Sequence, residues 1–114
     1  MILLDGKIAR EHYVKALIER VKNLSSIPCL TIIQVGNRQD SDSYVKAKKS
    51  FAEKIGVQIN HVQLEEKITQ ENLLATIKKY NEDTTTQGII IQLPLPEQIN
   101  SELALETVIP SKDV

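Results

Sequence analysis

Cys29-Leu30-Thr31-Ile32-Ile33-Gln34-Val35 is the stretch that decides the fold of this chain. It is an almost continuous run of apolar and β-branched residues, with Pro28 before it and Gly36 after it. A strand with one face in water alternates apolar and polar side chains, whereas a strand covered on both faces shows a continuous apolar run. The stretch therefore predicts a strand of a parallel sheet that has helices on both faces.

Helical and strand patterns alternate on both sides of this stretch. The spacing of apolar residues predicts a first helix over residues 7–24, with an apolar face formed by Tyr13, Leu17, Val21 and Leu24. Further helices are predicted over residues 43–55, after Thr69 and over Ser101–Val108, and further strands over residues 57–64 and Gly88–Leu93. This order indicates one α/β domain, a three-layer sandwich with a mainly parallel sheet.

Single residues mark the ends of several predicted elements. Thr69 can cap a helix with its hydroxyl group, and Gly56 lies where a helix often ends in a left-handed residue. Pro94 cannot donate a backbone hydrogen bond, so strand pairing must stop before it. The polar residues Asn37 to Asp42 are expected to form a loop.

Composition limits the possible classes of function. The 114 residues suit one domain, and the net charge of −1 is dispersed, so we expect no nucleic-acid partner. No apolar run approaches the roughly 20 residues that span a bilayer, and no signal peptide is evident, so we expect a cytoplasmic protein without a membrane partner. Cys29 is interpreted as a small buried hydrophobe, and His12 and His61 as surface residues, because neither histidine has a second ligand at metal spacing. We therefore expect no metal site.

Polar and aromatic residues follow the predicted carboxyl ends of two strands, where ligands bind in parallel α/β sheets. Tyr44 and Lys48 lie four positions apart and share a face of the second helix. An aromatic ring beside an amine could hold a flat ligand and move a proton on it. The alternative is a solvated lysine face on which Tyr44 is a half-buried anchor.

Gln92 is an amide at the end of an apolar strand. It follows three isoleucines and precedes Leu93-Pro94-Leu95-Pro96. A buried amide without a partner costs about 1–3 kcal/mol, so Gln92 must either bond loop backbone or bond a ligand or catalytic amine. The chain contains no Gly-rich phosphate-binding motif, so no cofactor-binding residues are predicted within it.

Several motifs together resemble one enzyme family. They include Leu4-Asp5-Gly6-Lys7, Ser41-x-Ser43-Tyr44-Val45-x-x-Lys48, Lys54-Ile55-Gly56, Asn81-Glu82-Asp83, Gly88-Ile89-Ile90-Ile91-Gln92-Leu93-Pro94-Leu95-Pro96 and Pro110-Ser111-Lys112-Asp113-Val114. Over essentially all 114 residues the chain resembles the N-terminal, folate-binding catalytic domain of the bifunctional methylenetetrahydrofolate dehydrogenase/methenyltetrahydrofolate cyclohydrolases. One departure is Gln39-Asp40, where the family typically has Pro-Ala.

The resemblance implies roles for the matching residues. Tyr44 corresponds to a tyrosine that stacks along the folate, Lys48 to a lysine that activates water and shuttles protons, and Gln92 to an amide that positions that lysine. The catalytic set would be Lys48, Tyr44 and Gln92, and the substrate-binding set Tyr44, Ser41, Gln92, Leu93 and Pro94.

The resemblance also implies a parent enzyme larger than residues 1–114. That enzyme, expected to be a homodimer, would oxidise 5,10-methylenetetrahydrofolate with NADP and hydrolyse the methenyl product to 10-formyltetrahydrofolate. The family motif Lys-Asp-Val-Asp-Gly begins at Lys112, so its pterin-binding aspartate and the NADP-binding domain would follow Val114. Residues 1–114 by themselves are therefore expected to be inactive. The alternative is a non-catalytic folate-binding or protein-interaction module on the same scaffold.

Overall fold

Helices and strands alternate along the chain in the computed structural model. It describes the backbone of residues 2–24 and 26–113 and the side chains of residues 11–24 and 26–113. Within these residues the elements are α1 (Ile2–Lys22), β1 (Cys29–Val35), α2 (Gln39–Ile55), β2 (Gln58–Leu64), α3 (Gln70–Glu82), β3 (Gly88–Ile91), α4 (Ser101–Thr107) and a 3₁₀ turn (Pro110–Lys112).

The three strands form one parallel sheet in the order β2-β1-β3. Ile32 of β1 lies opposite His61 of β2 and Ile90 of β3. The central position of β1 explains its continuous apolar sequence, because it has a neighbouring strand on each side and helices above and below. The predicted α/β sandwich with a parallel sheet is confirmed.

One face of the sheet packs against α3 and α4. Ile33 of β1 and Leu73 and Ile77 of α3 have no exposed surface, and Ile89 of β3 is 1% exposed. The cluster is completed by Val35, Ile91, Ile99, Ala104 and Val108. This apolar cluster is the core of the domain, and we call this side of the sheet the core face.

The opposite face packs against α2, and we call it the α2 face. Val45 and Ala52 of α2 are buried, and Ile32 of β1 has no exposed surface. A hollow of about 330 Å³ remains between α2 and the sheet, lined by Leu30, Ile32, Ala47, Lys48, Phe51, Ala52, Ile55, Val57, Ile59 and Ile90.

Two predicted helix ends are confirmed. The Thr69 hydroxyl accepts a hydrogen bond from the Asn72 N–H at 3.1 Å and caps α3. Gly56 follows α2 with φ 86°, and its N–H bonds to carbonyls of the last turn. A residue with a side chain would be strained there, since positive φ is readily adopted only by glycine.

Helix α2 begins earlier than predicted. Its first residue is Gln39, so the residues from Gln39 to Asp42 are helical and do not form the expected loop. Asp40 and Asp42 lie in the first turn, where the helix dipole favours negative charge, although their polarity suggested a loop. Arg38 at the N-cap position makes no capping bond through its side chain.

The first helix and the third strand also differ from the prediction. The described part of α1 ends at Lys22, and the predicted apolar residues Tyr13 and Leu24 are 64% and 53% exposed, whereas Val14 is buried. The buried stripe of α1 depends on its contact with α2, which sequence spacing does not determine. Strand β3 ends at Ile91 rather than Leu93, since residues beyond Gln92 no longer follow β1.

The end of the described chain is tied to α3 and β3. The Lys112 ammonium donates to the backbone carbonyls of Tyr80 and Asp83 at 2.9 and 2.6 Å, where a positive charge suits a helix carboxyl end. Asp113 forms a parallel bridge with Ile89. Lys112 thus holds the following residue beside the edge of β3.

Candidate active site

Lys48 and Gln92 meet at the carboxyl end of the sheet. The Lys48 ammonium donates to Gln92 Oε1 at 2.7 Å, although the two residues are 44 positions apart. Lys48 comes from the third turn of α2, and Gln92 is the first residue after β3. The structure therefore brings together two of the residues selected from the sequence.

Gln92 is held in place by three hydrogen bonds. Its N–H donates to the Ile33 carbonyl at 2.9 Å, and its side-chain amide donates to the Leu93 carbonyl at 3.0 Å. Its side-chain amide oxygen accepts a hydrogen bond from Lys48. The two interpretations of Gln92 are thus both present, because the amide bonds loop backbone and a lysine amine at once. With only 6% of its surface exposed, Gln92 gives Lys48 a well-defined anchor.

Tyr44 lies one helical turn before Lys48 and is largely exposed. Its relative exposure is 59%, and Leu93, next to Gln92, is 45% exposed. Both side chains therefore leave apolar surface open to solvent. Lys48 also lines the apolar hollow between α2 and the sheet. The arrangement can offer a ring face, an amine and an amide to one small molecule.

Ser41 and Pro94 have other surroundings than the hydrogen-bonded pair Lys48 and Gln92. Ser41 is buried in the first turn of α2, and its N–H donates to Asp40 Oδ1 at 3.0 Å. Pro94, which follows a cis peptide bond, lines a separate hollow of about 240 Å³ with Gly36 at the end of β1. Their proposed contact with substrate stays a prediction.

Three further polar residues lie near the site and were not selected from the sequence. Gln34 of β1 donates its amide to Asp42 of α2 at 2.7 Å, and its Oε1 is 2.8 Å from Nε2 of His61 on β2. Gln34 is 1% exposed. Gln34 is an amide inside an apolar strand, and the same pattern had singled out Gln92, so it could also have identified Gln34. His61 is therefore half-buried and bonded to Gln34 near the end of β1, and it is not the plain surface residue that was predicted.

The environment of His61 affects its protonation. Burial lowers the pKa of the imidazole below its usual value, and the nearby Lys49 ammonium lowers it further. The Asp42 carboxylate acts in the opposite direction. The neutral ring is thus favoured in the folded chain.

An ion pair occupies the position where the sequence departs from the family. Arg38 donates through Nε and Nη2 to the two carboxylate oxygens of Asp40, at 2.9 and 2.8 Å. The hydrogen bond from Arg38 lowers the pKa of the Asp40 carboxyl group. Both side chains are exposed, so the pair contributes little to stability.

The remaining candidate residues show no catalytic arrangement. Burial, followed by the Asp83 charge, raises the pKa of the Cys29 thiol, which disfavours the nucleophilic thiolate. His12 is exposed on α1. Among residues 11–24 and 26–113, no group of three or more potential ligands could hold a metal ion. None of the helices in the described part of the chain is both long and apolar enough to cross a membrane.

The chain has similar sequences among protein families and known proteins. The family model described as "Tetrahydrofolate dehydrogenase/cyclohydrolase, catalytic domain" matches residues 4–114. The chain is 42% identical to the cytoplasmic C-1-tetrahydrofolate synthase of Schizosaccharomyces pombe, covering 99% of this chain and 13% of that protein. It is also 42% identical to the bifunctional protein FolD of Staphylococcus carnosus, covering 98% of this chain and 40% of that protein. The chain thus spans less than half the length of these relatives.

Solved structures show the same fold. The bifunctional FolD enzyme of Campylobacter jejuni superimposes with a TM-score of 0.82 at 40% identity, over 97% of this chain and 39% of that one. The Trypanosoma brucei dehydrogenase-cyclohydrolase, solved with NADP cofactor and inhibitor, gives a TM-score of 0.83 at 33% identity, over 95% and 38%. From the family match and these structures, the chain belongs to the tetrahydrofolate dehydrogenase/cyclohydrolase family, in the part that forms its catalytic domain.

Proposed function

We propose that residues 1–114 form the folate-binding catalytic domain of a bifunctional enzyme. That enzyme would oxidise 5,10-methylenetetrahydrofolate with NADP and hydrolyse 5,10-methenyltetrahydrofolate to 10-formyltetrahydrofolate. The observation that carries this proposal is the Lys48–Gln92 hydrogen bond of 2.7 Å beside the exposed Tyr44 ring, within a chain of this family. We propose further that the complete enzyme is a homodimer that acts in the cytoplasm.

The hydrolytic step needs a group that moves protons. Water adds to the methenyl carbon and loses one proton to give a carbinolamine. As the bond from that carbon to N5 breaks, N5 takes up a proton and the hydroxyl group loses its own, which leaves a formyl C=O on N10 and releases one proton in total. Lys48 is the proposed carrier, since its amine lies at the carboxyl end of the sheet and its hydrogen bond to Gln92 fixes its direction. Tyr44 would stack on the folate ring system, and Ser41, Leu93 and Pro94 would line the substrate site.

NADP does not fit the residues described here. The sequence has no glycine-rich loop at the end of a strand, and Gly36 after β1 is followed by Asn37 and Arg38. The described residues therefore have no proposed part in binding NADP. In the proposed enzyme, a second domain would hold the cofactor.

A grafted enzyme tests the hydrolytic role. Residues 4–114 replace the matching segment of the Staphylococcus carnosus protein, and hydrolysis of 5,10-methenyltetrahydrofolate is followed by loss of its absorbance. Lys48→Met should lower turnover by at least about 10², the usual scale for a lost general acid-base group, with folate binding less affected. Lys46→Met, at an exposed position of the same helix, is the control and should leave turnover unchanged.

The results separate the candidate functions. Equal turnover in Lys48→Met and the unaltered graft would remove Lys48 from the mechanism. Folate binding without any hydrolysis by the graft would favour the non-catalytic module. The chain of residues 1–114 alone is expected to bind folate weakly and to show negligible turnover.

A further inference from the structure

A second set of contacts ties α2 to the sheet. Asp42 accepts from the Gln34 amide at 2.7 Å, and Gln34 Oε1 lies 2.8 Å from His61 Nε2. The set joins three elements, because Asp42 lies on α2, Gln34 on β1 and His61 on β2. It leaves the buried Gln34 amide with a partner on both sides.

The direction of each hydrogen bond follows from the chemistry of the groups. An ionised carboxylate can only accept, so the NH₂ group of Gln34 must face Asp42. Its carbonyl oxygen then faces His61, which must carry a proton on Nε2. The contacts therefore select one orientation of the amide and one tautomer of the ring.

The contact lies beside the Lys48–Gln92 pair. Ile33 of β1 lies opposite Ile91 of β3, so the next residues along the two strands are Gln34 and Gln92. These adjacent glutamines bond to two residues of the same helix, Asp42 and Lys48. Helix α2 is thus attached to the end of the sheet at two polar points.

We propose that Gln34 is a positioning residue for the folate site. By holding Asp42, it fixes the first turns of α2, and with them Tyr44 and Lys48, over the carboxyl end of the sheet. The inference rests on the proposed function for its effect on folate, whereas its effect on the position of α2 is independent of that function. His61 completes the arrangement by bonding the Gln34 carbonyl oxygen, and Lys49 and Asp42 are the charged groups that influence His61.

An exchange of hydrogen-bonding groups tests the proposal with almost no change in shape. Gln34→Glu places a carboxylate against Asp42 and removes the donor. Adding Asp42→Asn restores a donor, because the new amide can donate to the new carboxylate, which still accepts from His61. Gln34→Met removes both hydrogen bonds without adding charge, and Asp42→Asn should not rescue it. Gln63→Glu is the matched control, since Gln63 is an exposed glutamine that bonds to the Gly36 carbonyl rather than to α2.

Two measurements report the result. In the chain of residues 1–114, nuclear magnetic resonance of the Gln92 side-chain amide reports the Lys48–Gln92 contact. In the grafted enzyme, titration with 5-formyltetrahydrofolate reports affinity, which should fall about tenfold in Gln34→Glu, as expected for a lost hydrogen bond to a charged group. The double variant should recover both signals, and Gln63→Glu should stay within about twofold of the unaltered protein.

Other results would contradict the role of Gln34 or the proposed function. Unchanged Gln92 resonances in both Gln34→Glu and Gln34→Met would overturn the proposal. So would a loss in Gln34→Glu that Asp42→Asn fails to rescue, because the buried charge itself would then be responsible. If the unaltered graft bound no folate, the proposed function would fail, and the Gln92 resonances would still decide whether Gln34 positions α2.

Discussion

The two faces of the sheet are built from different kinds of contact. On the core face, Ile33 and Leu73 have no exposed surface, and a buried cluster of apolar residues surrounds them. On the α2 face, the strand ends carry Gln34 and Gln92, and a hollow of about 330 Å³ lies between helix and sheet. The core face thus supplies most of the apolar burial, whereas the α2 face carries the polar residues of the candidate site.

The buried polar groups of the α2 face are tolerated because they are paired. No buried side-chain polar atom among the described residues lacks a hydrogen-bond partner. An unpaired one would cost about 1–3 kcal/mol, a large share of the stability of a small domain. The pairs also give direction, since Gln92 bonds Lys48 at one defined distance.

The largest effect is expected on the core face. Leu73→Ala removes a fully buried side chain of α3 and should reduce the free energy of unfolding by about 2–5 kcal/mol, through lost burial and the cavity left behind. Urea denaturation of the chain, followed by circular dichroism, measures the change. Leu105→Ala, at an exposed leucine of α4, is the control, and an equal loss in both variants would contradict the assignment of the core.

Gln92→Leu, on the α2 face, should reduce turnover strongly and change stability only slightly. Turnover of methenyltetrahydrofolate in the grafted enzyme should fall about 10- to 100-fold, because Lys48 loses a hydrogen bond that directs its amine. Stability should change by less than about 1 kcal/mol, since the half-exposed Lys48 can turn to water. Gln98→Leu, at an exposed glutamine in the following loop, should keep full turnover. A stability loss as large as that of Leu73→Ala would show that the two faces do not divide these roles.

A smaller effect is expected at the start of α3, which supports the core face. Thr69→Ala removes the side chain that caps the helix and should reduce the free energy of unfolding by about 1 kcal/mol. Thr76→Ala is the control within the same helix, where the hydroxyl bonds only the Asn72 carbonyl. Equal unfolding midpoints for Thr69→Ala and the unaltered chain would show that the cap contributes nothing.

The smallest effect concerns pH and the α2 face. The folded chain holds the His61 proton less tightly than the unfolded chain, so below the ordinary pKa of 6.5 the unfolded state binds more protons. Stability should therefore fall as pH decreases through 6.5. His61→Gln keeps a donor for Gln34 without a titrating ring and should flatten this dependence, whereas His12→Gln should not. The slope comes from urea unfolding at about pH 7.5 and about pH 5.5, and identical slopes for the two variants would exclude His61 as its source.

Local patterns in the sequence predicted much of the fold. Strand β1 was predicted from an uninterrupted apolar run, and the cap at Thr69 and the left-handed glycine at Gly56 from single residues. The spacing of Tyr44 and Lys48 placed them on one helix face. These features depend on residues within a few positions of one another, where backbone geometry follows directly from sequence. The proposed catalytic roles came from the resemblance to a family and not from spacing.

Only the tertiary structure decided which polar groups meet. Lys48 and Gln92 are 44 positions apart, and Gln34 and His61 are 27 positions apart, so no local pattern relates them. The side of α1 that is buried depends on contact with α2 in the same way. Sequence periodicity determined which segments form helices and strands, because each needs only its own neighbours. Sheet register and helix packing determined the candidate site, because a hydrogen bond across the fold forms only when distant backbone segments hold both partners in place.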